Sequence, residues 1–236
     1  MSGWPAERDE LEELQRELAE RAAAAAPWRP DEAASIGGVF FASARSGDRA
    51  WAAAVRLDPG GETTSAVVRG IARFAYEPGL LALREGALLE GALRSLPRLP
   101  DVVLVNASGR DHPRGAGLAL HLGSVLGVPT VGVTDRPLLA IANAPRDERF
   151  AGAPLRLGDE LVGFAVRTRR GARPVLAHSA WRTDADTARA VVAAATGRGR
   201  TPEPLRRARF LARVERARDE GRLPARWAHD PFAEGR

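Results

Sequence analysis

The stretch DVVLVNASGRDHPRGAGLALHLGSVLGVPTVGV, residues 101–133, decides the fold. Residues 101–105 form a nearly continuous apolar run, the pattern of a strand buried on both faces. A glycine-containing turn and a basic loop follow over 106–115. GAGLALHLGSVL (115–126) has helical spacing, and VPTVGV (128–133) reads as a second buried strand. Strand, helix and strand in this order make a parallel crossover unit. In such units the carboxyl end of the strand is where ligands and catalytic acids gather. That seat holds Asn106, a neutral amide.

Upstream, IGGVFFA (36–42), AWAAAVRL (50–57) and ETTSAVVRG (62–70) read as three short strands. Gly47-Asp48 and Gly60-Gly61 punctuate them as turns, so they form an antiparallel meander. Pro78-Gly79 then leads into LLALREGALLEGALRSL (80–96), with helical spacing. Downstream, LVGFAVRT (161–168) and RPVLAHS (173–179) suggest a hairpin. A Thr183-x-x-Asp186 capping pattern opens a helix, and Pro202 and Pro204 open a last, arginine-rich one. The first 25 residues contain an amphipathic helix with Leu11, Leu14 and Leu18 on one stripe. This order predicts an α/β protein with an RNase H-like mixed sheet, three antiparallel strands then parallel ones, and helices on both faces. Residues 1–33 read as an N-terminal helix extension, 34–220 as the domain, and 221–236 as a loose tail.

The 236-residue chain is long enough for a sizeable core. It has no cysteine, which excludes disulfides, thiol nucleophiles and Cys-ligated zinc. All 35 basic residues are arginine, in keeping with a GC-rich coding sequence, so Schiff-base and P-loop lysine chemistry are excluded too. The net charge of +5 permits nucleic-acid binding without requiring it. No apolar run approaches a membrane span and no signal peptide is apparent, so a cytoplasmic location without membrane contact is expected.

AYEPGLLALREG (75–86), the 100–133 stretch, and RTDADTA followed by PEPLRRA together resemble endonuclease V. This family comprises metal-dependent nucleases that recognise deaminated purines. The resemblance spans roughly residues 34–210. It implies DNA or RNA, inosine-containing, as partner; protein partners are not indicated. It implies that Tyr76 and Pro78 belong to a wedge that enters the stack beside a flipped base. It also implies that Ala107, Ser108 and Gly109 border the base pocket, and that His112 and Arg114 face phosphate. Arginine-rich segments at 167–170 and 206–218 would add phosphate contacts.

The resemblance equally exposes losses. Glu85 is the retained acid, in a matching Arg-Glu-Gly context. The family's first-strand Asp corresponds to Phe40, its second-strand Asp to Asn106, and its late histidine to Trp181. Its basic residue after the second parallel strand corresponds to Asp135. Mg²⁺ prefers anionic oxygen ligands, so one remaining acid leaves no metal site expected. Phe40 and Trp181 are expected to pack together in the old site, and Glu85 to titrate high beside them. The expected function is therefore a catalytically inactive endonuclease V-like protein that binds inosine-containing nucleic acid. Two alternatives stand beside it. One is an active Mg²⁺-dependent endonuclease with a site rearranged around Asp111 or Asp135; the other is a protein-interaction scaffold.

Overall fold

The computed structural model describes residues 3–227 and 231–232. Its strands are β1 (Ile36–Ser43), β2 (Arg49–Leu57), β3 (Thr63–Ile71), β4 (Val102–Val105), β5 (Thr130–Thr134), β6 (Ile141–Ala142), β7 (Gly152–Leu157), β8 (Glu160–Val166) and β9 (Val175–Ser179). The helices are α1 (Arg8–Ala24), α2 (Leu81–Arg94), α3 (Leu118–Leu126), α4 (Ala185–Ala194) and α5 (Glu203–Asp219). Among the described residues the strands form one sheet, ordered β3-β2-β1-β4-β5-β9-β8-β7-β6. The meander β1–β3 is antiparallel, and β4 runs parallel to both β1 and β5. The expected late hairpin is present, because β8 pairs antiparallel with β9. Among the described residues no helix is long and apolar enough to cross a membrane.

Alternation along β4 explains why it reads as continuously apolar. Val103 and Val105 enter one core with α1, α2 and α3, while Val102 and Leu104 enter another with α4 and α5. The same alternation splits β1. Val39 and Phe41 face the α2 side, whereas Phe40 lies with Ala53 and Ala212 on the α5 side. Helix α5 lies so close to β1 that a Cβ on Gly38 would come within 2.4 Å of the Pro204 backbone.

The N-terminal helix, read as an extension, packs into the fold: Leu11, Leu18 and Ala22 are buried in the same core as α2 and α3. Three expectations need correction. The late helix is capped by Asp184, whose carboxylate accepts from the Thr187 amide; Thr183 instead donates its hydroxyl to the Thr130 carbonyl. Strands β6 and β7 were not expected. Pro154 argues against a strand, yet it sits in β7 where β6 covers only Leu155 and Arg156, so its missing N–H faces an open edge. Finally, the tail after 221 is not loose throughout. Trp227 and Phe232 pack edge-on against Phe210, and Arg206 and Arg207 lie over the Phe232 ring.

Candidate nucleic-acid site

The carboxyl ends of β4 and β5 border a cavity of about 340 Å³. Among its lining residues are Phe41, Tyr76, Pro78, Glu85, Asn106, Ala107, Ser108 and His112. Eight of the eleven residues singled out from sequence are Glu85, Asn106, Tyr76, Pro78, Ala107, Ser108, His112 and Arg114, and all but Arg114 line it. Arg114 stands just behind, bonded to the wall.

The segment expected to act as a wedge occupies the loop between β3 and α2. Tyr76 is 67% exposed and projects at the cavity mouth. Gly79 turns the chain there with φ +84°, a conformation that favours glycine. The Gly79 carbonyl is the anchor of the loop. It accepts from Gln15 Nε2 at 3.1 Å, His112 Nε2 at 3.0 Å and Arg114 Nη2 at 3.2 Å. Gln15 Oε1 accepts in turn from Arg114 Nε at 2.6 Å. The Glu77 carboxylate is held by Arg8 of α1 at 2.5 Å.

This anchoring engages His112 and Arg114 inside the protein. His112 is buried, donates from Nε2 to Gly79 and accepts the Arg114 amide on Nδ1. Burial pulls its pKa down to about 4, so it is neutral near pH 7. Arg114 spends its guanidinium on Gln15, Gly79 and Glu12. Both residues bond to the 76–79 loop, which leaves little of either side chain for the phosphate contact expected of it. Gly109 is likewise outside the cavity. A Cβ there would come within 2.0 Å of the Ser179 carbonyl, so this glycine lets the turn press onto β9.

Phe40 and Trp181 do not meet. Phe40 faces α5, with the Arg213 guanidinium 5.7 Å from its ring centre. Trp181 lies beyond the opposite end of β5, where its carbonyl accepts from the Thr130 amide and its ring receives Arg21. Four residues of strand, about 13 Å, separate Thr130 from the cavity end at Thr134. The strand residue of β1 whose ring lines the same cavity as Glu85 is Phe41, with Arg84 over it at 5.7 Å. Sequence reasoning missed Phe41 because the choice between adjacent strand positions depends on which face the helix covers. It missed Gln15 because only tertiary packing brings α1 to this loop, although a polar residue on the Leu11–Leu18 stripe was a usable signal.

Among the described residues, Glu85 is the only carboxylate lining the cavity. Burial raises its pKa to about 7, against a smaller opposing pull from Arg84. The acids considered as replacements are committed elsewhere. Asp111 is fully buried and accepts from three backbone amides, those of Leu138, Leu139 and Ala140. Asp135 pairs with Arg200 at 2.7 Å, and Asp101 is bonded to Ser35 at the opposite end of β4. Among the described residues no three His, Cys, Asp or Glu side chains come together as metal ligands. One carboxyl that resists ionisation, one amide and a phenylalanine do not fit a hard divalent cation. A single polar threonine, Thr134, adds no charge, since its hydroxyl contacts the Arg136 carbonyl and His178 Nε2.

A five-strand core ordered β3-β2-β1-β4-β5, with this cavity at the carboxyl ends, defines the RNase H-like class. Within it, residues 16–210 match the model of the endonuclease V family, and the chain belongs to that family. An endonuclease V from Streptomyces coelicolor is 39% identical over 215 residues, 90% of this chain and 92% of the relative. The crystal structure of endonuclease V from Streptomyces avermitilis superposes with a TM-score of 0.84 at 38% identity, covering 94% of this chain and 97% of that one. Endonuclease V from Ciona intestinalis shares the fold at 19% identity, with a TM-score of 0.75 over 89% of this chain and 98% of that one. That protein was crystallised with a 24mer DNA containing an inosine followed by a ribo-adenosine.

Proposed function

We propose that this family member binds inosine-containing nucleic acid and does not cleave it. The observation that carries this reading is the contrast within one cavity. The parts that would serve recognition are present: an anchored loop with an exposed tyrosine, and small residues at 107 and 108 beside a space of about 340 Å³. Its catalytic parts are not, because Glu85 stands alone beside Phe41 and Asn106.

A flipped base leaves a gap in the stack, and an aromatic ring on a stiff turn fills it. Tyr76 supplies the ring, and the Gly79 anchor supplies the stiffness. The cavity lies within the size range of small-molecule sites, about 300–1,000 Å³, so it accepts a purine. Glu85 in its protonated form adds a donor to the cavity wall without repelling phosphate.

The test is equilibrium binding of labelled oligonucleotides that differ by a single inosine, in single and double strands. Preference for inosine that is lost in Tyr76→Ala supports the reading. Equal binding with and without inosine, unaffected by Tyr76→Ala, refutes it.

A further inference from the structure

The loop 135–141 carries a feature that the base pocket does not use. Leu139 is 50% exposed and Ile141 is 78% exposed, immediately beyond the cavity-lining residues Arg136, Pro137 and Leu138. Single exposed apolar residues are ordinary. These two differ because their backbone is held rigidly in an exposed position. Fully buried Asp111 accepts from the Leu138 amide at 2.8 Å, the Leu139 amide at 2.9 Å and the Ala140 amide at 2.8 Å. Burying a carboxylate is costly and is offset only by such charge-assisted bonds. Thr134 adds a clamp, donating to the Arg136 carbonyl at 2.8 Å, and Ile141 is paired to Arg156 of β7.

The surroundings also indicate what meets this edge. Arg136 and Arg156 are exposed on either side of it in the chain and across the ladder, while Asp135 is neutralised by Arg200. Apolar groups set between arginines, continuous with a cavity that takes a base, suit nucleobases next to phosphates better than a protein surface.

We infer that Leu139 and Ile141 form a second, aliphatic wedge, which packs against unstacked bases flanking the flipped one while Tyr76 fills the gap. This inference rests on the proposed function and extends it to a second point of contact. Aliphatic wedges of this kind open base steps in other DNA-bending proteins.

The experiment places 2-aminopurine next to inosine in a duplex and reads both anisotropy and 2-aminopurine fluorescence. The proteins are wild type, Leu139→Ser/Ile141→Ser and Tyr76→Ala. Both substitutions lie on exposed side chains and keep the amides that Asp111 holds, so the melting temperature should not change. The double variant is expected to lose about tenfold in affinity for the inosine duplex, the loss of one base contact, and most of the fluorescence rise. Wild-type affinity and fluorescence in the double variant, with Tyr76→Ala impaired, overturn the second wedge and leave the proposed function intact. No inosine preference in the wild type overturns both. A wild-type dimer that the double variant converts to a monomer in sedimentation also overturns it, by assigning this edge to self-association.

Discussion

Glu85 sits where two demands conflict. Its carboxyl is pushed from its ordinary 4.5 up to about 7 by burial. Above pH 7 the folded protein carries a charge that the cavity solvates poorly; below about 4.5 both folded and unfolded states are neutral and the cost is absent. Stability contributed by this group therefore falls as pH rises from 4.5 to 7. His112 and His178, both lowered to about 4 by burial, act oppositely: they stabilise above 6.5 and lose that stabilisation as pH falls toward 4. Glu85→Gln should raise neutral-pH stability by at most about 3 kcal/mol and steepen the rise between pH 4.5 and 6.5, as urea titrations would show. Wild-type affinity for DNA should weaken as pH rises through 7, where Glu85 ionises, while the Gln variant stays level. Asp111→Asn should cost about 2 kcal/mol and speed amide exchange at 138–140, because a neutral amide replaces a charged acceptor. Glu85, Asn106 and Tyr76 were legible from motif order alone. Asp111 was visible as an acid near the site edge, but its use was not, since its three partners lie 27–29 residues away.

The elements around the site depend on α1 more than its sequence suggests. Arg8, Glu12 and Gln15 all reach residues of the wedge anchor. Gln15→Leu keeps the apolar contact but removes a donor to Gly79 and an acceptor for Arg114. Hydrogen exchange should then quicken at the Leu80 amide, which donates to the Glu77 carbonyl, with little change in β4. Unchanged exchange at residue 80 would mean that His112 and Arg114 hold the loop without Gln15. Helix and strand order was readable because each element carries its own pattern: helical spacing in α2, continuous apolar runs in β2 and β4. The caps and edges were not, because Asp184 or Thr183 serves equally well in the pattern, and Pro154 is tolerated only through its position on an open edge.

At the scale of the whole molecule, the cavity is assembled from α1, the β3–α2 loop, α2, the end of β4 and the loop after β5. A chain beginning at residue 34 loses fully buried Leu11 and nearly buried Leu18, about 1.5–3 kcal/mol each, and uncovers α2 and α3. It should fail to melt cooperatively by calorimetry, whereas a sharp transition would show that α1 is an accessory. The sheet order followed from the meander and the crossover unit, while the reach of α1 across it depended on contacts between residues 64 to 99 positions apart. The central claim is recognition without cleavage. It is tested most directly by single-turnover incision of inosine-containing single- and double-stranded oligonucleotides in Mg²⁺ or Mn²⁺, at protein concentrations where binding is complete. The expected result is bound, intact substrate. Metal-dependent incision that disappears in Glu85→Gln would contradict it, and would mean that one carboxyl and an amide suffice to hold the ion.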